Sequence, residues 1–268
     1  DSDGTPCIRA NTGVGTVATT FGAVQAVFED KMPWITEHVS LKDLDDFDAD
    51  TAPPGRDVEH ALDRSRYLAE HLKGSGITTF CFDTQGPFDI AHLVIGDEIF
   101  YSVYDEPDRI HKLLDNCVRA IIRHTHQYKE AVGEPPDGGR HGGNFTMRGG
   151  LRICEDTSTL LSEEQIHQFV VPYTRKLLQA FGGGWIHYCG RNDHLYEAVL
   201  AAIPECYTLN FGNPDMHDMK QIITDCIEHG KTYFGGIPRE QDEDTEKYFR
   251  RVLGYTDGSG RGLILNGT

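Results

Sequence analysis

The sequence has no run of 18 or more apolar residues, so nothing in it reads as a membrane-spanning helix. It has no phosphate-binding P-loop, no nucleophile elbow and no paired metal-carboxylate motif. Gly13-x-Gly15 follows the first strand-like run, but the third glycine of the dinucleotide fingerprint is missing. That absence argues against a doubly wound nucleotide-binding sheet. Basic residues are scarce: 25 Lys and Arg stand against 42 Asp and Glu, for a net charge of −17. Such a chain repels phosphate backbones, which argues against nucleic acid as a partner; the acid serves chiefly solubility. The 7 cysteines are odd in number and irregularly spaced, so they make no disulfide framework. Reduced thiols, no signal-peptide pattern before the first strand and no membrane span lead to the expectation of a cytoplasmic protein. The chain opens on Asp1 rather than Met. Either it is processed, or its start lies upstream.

What is present is a regular alternation. With 268 residues, 38% of them hydrophobic, the chain can bury a large core, and one domain over residues 1–268 is the expectation. Short β-branched or aromatic runs occur at 5–10, 77–83, 151–155, 185–189, 207–211, 232–235 and 262–266. Helical periodicity fills the gaps at 56–73, 108–132, 163–181, 194–203, 216–229 and 243–253. Pro107 opens the second of these, and Ser162 with Gln165 spells a capping box for the third. Strands alternating with helices predict an α/β protein with a parallel sheet, and specifically a (β/α)8 TIM barrel. Seven strands are counted, and an eighth is expected before Asp1. Residues 43–50 form an acidic loop with a solvated face.

In a barrel, chemistry gathers at the C-terminal ends of strands. The residues so placed are Asp83, Gln85, Glu155, Asp156, His187, Cys189, Asn210 and Asn266. On a strand, residues two apart share a face, so His187 and Cys189 point the same way and Tyr188 points away. An imidazole and a thiolate so placed can bind zinc from one side, or His187 is a hydrogen-bonded pocket histidine and Cys189 simply packs. Glu155 is the first choice for a third ligand, with Cys154 and Cys81 behind it. Glu155 and Asp156 face opposite sides, so only one of them points into the site, where it serves as acid, anchor or ligand; the alternative is that they cap the following helix and compensate its dipole. Asp83 and Glu155 are the candidate catalytic carboxylates. Gln85, ahead of Gly86, and Asn210 offer neutral hydrogen bonds to a small-molecule substrate. Arg140 and His141, inside Gly138-Gly139-Arg140-His141-Gly142-Gly143, suggest a lid or an anion contact, or simply a surface loop.

These residues together resemble the uroporphyrinogen decarboxylase superfamily. The carriers are Gln85-Gly86-Pro87-Phe88-Asp89, Gly96-Asp97-Glu98 with Tyr104-Asp105-Glu106-Pro107, Leu161-Ser162 through Val171-Pro172-Tyr173, His187-Tyr188-Cys189-Gly190 and Asn210-Phe211-Gly212-Asn213. The match covers residues 80 to about 236 and is closer to the methyltransferase-like branch, which moves methyl groups between a corrinoid protein and a thiol. The resemblance implies zinc on His187 and Cys189, a glutamate at Glu155, and methylcobalamin carried by a partner corrinoid protein. In that branch a further cysteine near the last strand completes the site. Here that region reads Leu263-Ile264-Leu265-Asn266-Gly267-Thr268, with no cysteine, so the chain stops short of it or the site is incomplete. True decarboxylases need a tyrosine, which would fall near Leu93, and a C-terminal histidine, and no histidine follows His229. Their arginine would lie before Asp1. The expected function is zinc-dependent methyl transfer. A cofactor-free uroporphyrinogen decarboxylase, a carboxy-lyase of tetrapyrrole biosynthesis, and a non-catalytic ligand-binding barrel are the alternatives. A homodimer is the oligomeric expectation.

Overall fold

A computed structural model describes residues 6–141, 145–146 and 148–265. The chain is mixed α/β. In order it runs β1 (Cys7–Arg9), β2 (Val24–Ala26), β3 (Trp34–Glu37), α1 (Arg56–His71), β4 (Thr78–Phe80), α2 (Pro87–Ile95), α3 (Ile99–Asp105) and α4 (Pro107–Val132). There follow β5 (Arg140–His141), β6 (Phe145–Thr146), β7 (Leu151–Cys154), α5 (Glu163–Gln165), α6 (Val171–Gln179), β8 (Gly184–Tyr188) and α7 (Asp193–Ala201). The last elements are β9 (Cys206–Phe211), α8 (Met219–Glu228), β10 (Thr232–Gly235), α9 (Thr245–Gly254) and β11 (Leu263–Leu265).

Strands β7, β8, β9, β10 and β11 form one parallel sheet in chain order. A parallel pair, β1 with β4, continues it through a single bridge between Gln85 and Cys154, where Gly86 N–H donates to the Cys154 carbonyl at 2.6 Å. All seven runs read from the sequence are therefore strands. A closed eight-stranded TIM barrel is not shown: among the described residues nothing pairs β1 to β11, and the ladder is open there. The antiparallel pairs β2–β3 and β5–β6 stand outside this sheet.

Period-2 alternation divides the strands between two environments. Leu151 and Ile153 of β7, Ile186 and Tyr188 of β8, and Leu209 and Phe211 of β9 enter the main core under the helices. Trp185 and Phe234 form a separate small cluster on the other face, with Ile264 against them. The helices dock by apolar stripes: α4 buries Ile110, Leu113, Leu114, Cys117, Val118 and Ile121 against α1, α2 and α6. Each such side chain contributes roughly 1.5–3 kcal/mol when removed from water. Ser162 and Gln165 form the expected capping box, but the helix they open passes through a π-helical stretch at 166–170 before α6. Among the described residues no helix is long and apolar enough to cross a membrane.

Candidate metal centre

Parallel register places Cys154 of β7, His187 of β8 and Asn210 of β9 side by side. All three lie on the face that avoids the main core. Asn210 orients the histidine. Its Nδ2 donates to the Phe234 carbonyl at 2.6 Å, which turns Oδ1 toward His187 Nδ1, 2.5 Å away. The acceptor at Nδ1 requires an N–H there, and this hydrogen-bond assignment leaves Nε2 with its lone pair free. That is the tautomer a metal ligand needs. Burial, together with the Arg152 charge, lowers the pKa of His187 and favours the neutral ring.

Two further donors approach Nε2. Cys189 Sγ is 3.5 Å from it and Asp156 Oδ1 4.0 Å. The ligand atoms of Cys154, Asp156 and His187 lie within 4.8 Å of one another, so this group could hold a metal ion. Cys154-x-Asp156 and His187-x-Cys189 thus form two i, i+2 pairs on adjacent strands. Asp156 also fixes the chain beyond β8, since its Oδ1 accepts the Cys189 N–H at 2.6 Å. Gly190 follows at φ 84°, a left-handed turn that a β-carbon would disfavour.

The donor set suits zinc. A tetrahedral ion with Zn–S about 2.3 Å and Zn–N about 2.05 Å separates sulfur and nitrogen by about 3.5 Å, the spacing of Cys189 and His187. Burial pushes the Cys189 thiol up to about 11 and that of Cys154 still higher. Both are protonated at neutral pH unless a cation deprotonates them.

Glu155 is not brought to this group. It is 1% exposed, and its oxygens accept hydroxyls from Thr174 at 2.6 Å and Ser158 at 2.8 Å on the helix side of the sheet. Burial, reinforced by the Asp156 charge, raises its pKa to about 7. Asp89 is buried nearby and braces the turn after β7: its carboxylate accepts the N–H groups of Asp156 and Thr157, each at 2.8 Å. Asp83 is held by two arginines, Arg152 at 2.6 Å and Arg9 at 3.5 Å. Gln85 is buried, and its Nε2 lies 3.4 Å from Asp83. Arg140 and His141 form β5, but their side chains lie outside the described residues, as does Asn266. Sequence reasoning misses Arg9, Arg152 and the bracing role of Asp89. Arg152 does carry a signal, since it shares the face of Cys154 and Asp156 by period 2.

Comparison with family models finds no match, and no curated protein sequence matches. Among solved structures, 16 chains match. One is a methyltransferase from Methanosarcina mazei, 15% identical, with a TM-score of 0.65 over 94% of this chain and 71% of that chain. At 15% identity the likeness establishes a shared fold.

Proposed function

We propose that this chain is an enzyme of the uroporphyrinogen decarboxylase superfamily, in its methyltransferase-like branch, moving a methyl group between a corrinoid and a thiol. His187, Cys189 and Cys154 would hold zinc, with Asp156 as a fourth donor. The observation that carries this reading is the Asn210–His187 hydrogen bond, which leaves Nε2 facing the Cys189 thiol and the Asp156 carboxylate, with Cys154 grouped to the same histidine and aspartate. Bound zinc would lower the pKa of a substrate thiol so that thiolate is available near neutral pH. The chain's own residues supply the rest. Asn210 holds the imidazole, and Asp156 and Asp89 fix the turn that carries the donors. A corrinoid protein would dock over the C-terminal ends of β7, β8 and β9, where Cys189 is exposed. The fold shared with the Methanosarcina mazei methyltransferase is consistent with this reading.

The test is turnover. Zinc-loaded protein mixed with methylcobalamin and 2-mercaptoethanol is expected to yield the methyl thioether and cob(I)alamin, followed by absorbance. His187→Ala is expected to lower the rate at least 100-fold. Formation of thioether at the same rate with His187→Ala would overturn the reading.

A further inference from the structure

Below the His187 ring the same face of the sheet encloses a cavity of about 300 Å³. Its charged lining is uneven. Arg9 and Arg152 both turn to Asp83, at 3.5 Å and 2.6 Å, so two cations share one carboxylate. Lys129 and Glu134 also line it, but they pair with each other at 3.6 Å. Among these groups the cations outnumber the carboxylates by one, inside a chain whose net charge is −17, although the Asp156 carboxylate beyond the lining also acts on Arg152.

Such a surplus is costly in a part-buried site unless an anion meets it. Arg152 has five N–H donors, and among the described residues it makes one hydrogen bond. Thr125 Oγ1 adds an independent mark: it lines the cavity, is 1% exposed and has no hydrogen-bond partner among the described residues. A buried hydroxyl without a partner marks a place where a ligand or water completes the hydrogen bonding. The wall also carries an aromatic pair. Trp185 and Phe234 stand edge to face at 5.0 Å, and Arg152 lies 5.9 Å from the Trp185 ring.

We propose that this cavity binds a small organic acid carrying one carboxylate, with the carboxylate on Arg9 and Arg152 and the apolar body against Trp185 and Phe234. One carboxylate matches the single surplus charge, and the guanidinium fork matches its geometry. A dianion would leave a negative charge beside Asp83 and Glu134. The site needs no metal and stands whether or not the methyl-transfer reading holds.

The chain has 2 tryptophans, and Trp34 is 54% exposed on the β2–β3 hairpin. In a Trp34→Phe background, Trp185 therefore reports on the cavity alone. Chelator-treated protein would be titrated with butyrate, with its neutral match butyramide and with succinate. Saturable quenching by butyrate is expected, with butyramide and succinate at least 10-fold weaker. Arg152→Gln and Arg9→Gln are each expected to weaken butyrate at least 10-fold, and Arg152→Lys less. Equal binding of butyrate and butyramide, or no change in the arginine variants, would overturn the proposal. Should Arg152→Gln fail to fold, Arg9→Gln decides the matter in the same titration. Cys189→Ser separates this claim from the previous one: it is expected to weaken zinc and leave butyrate binding intact.

Discussion

Gly212 offers a way to disturb the proposed metal centre without touching a donor. Its N–H donates to the Tyr188 carbonyl at 2.9 Å, extending the β8–β9 ladder past the strand ends. A β-carbon there would lie 2.4 Å from Cys189 Sγ and 3.4 Å from its Cβ. The backbone angle at Gly212 lies outside the left-handed region, so alanine can adopt it. Contact between carbon and sulfur needs about 3.5–4 Å, so Sγ must move by more than about 1 Å. Cys189 is exposed and can swing outward. An off-rotamer side chain costs about 0.5–1.5 kcal/mol, and Gly→Ala returns about 0.4–1 kcal/mol through the unfolded chain. The two nearly cancel, so Gly212→Ala should melt within a few degrees of the parent. Zinc affinity, in contrast, should fall at least 10-fold to 100-fold, about 1.4–2.8 kcal/mol, because a thiolate leaves the donor set. Competition against a chromophoric chelator, alongside thermal unfolding, reads both quantities. An unchanged zinc affinity in a folded Gly212→Ala protein would refute Cys189 as a ligand.

Asn210→Leu should cost 10-fold to 100-fold in zinc affinity, because the imidazole loses the acceptor that fixes its tautomer; chelator competition checks this. Thr174→Val should lower stability by about 1–3 kcal/mol in urea unfolding, since it strips a hydroxyl from the buried Glu155 carboxylate. His124 is fully buried between Thr20 and Gln127, and burial lowers its pKa from 6.5 to about 4. Below pH 6.5 the unfolded chain takes up a proton that the folded chain refuses, so this group's share of stability is lost as pH falls toward 4. The loss amounts to about 3 kcal/mol. Urea unfolding of the parent and of His124→Gln between pH 7 and 4 should show the gap between them narrowing; parallel curves would contradict the assignment.

Much of this architecture is legible in residue order, and the exceptions have physical causes. Seven strand runs stand out because β-branched and aromatic residues cluster between turns. The β2–β3 hairpin does not, because Val24 and Trp34 are exposed and the strands are too short to show alternation. The His187–Cys189 pair is readable from the strand period alone. The choice between Glu155 and Asp156 depends on which side of β7 meets the helices. Leu151 and Ile153 decide it by entering the main core, which carries Arg152, Cys154 and Asp156 to the other face. The Arg9–Asp83–Arg152 cluster joins β1, β7 and the segment after β4, far apart in sequence, and no local pattern announces it. The π-helical stretch at 166–170 is likewise invisible to a 3.6-residue periodicity.

The zinc centre proposed on His187 takes Cys154, Cys189 and Asp156 as its other donors. Its most direct test is metal content by elemental mass spectrometry, on protein purified without chelator and reloaded with one equivalent of zinc. Stoichiometric, exchange-resistant zinc is expected in the parent. Zinc is expected to be lost in His187→Ala and sharply weakened in Cys154→Ser, with all proteins folded by circular dichroism. A parent protein that holds no zinc, or a folded His187→Ala that keeps it, would rule out a zinc centre at His187.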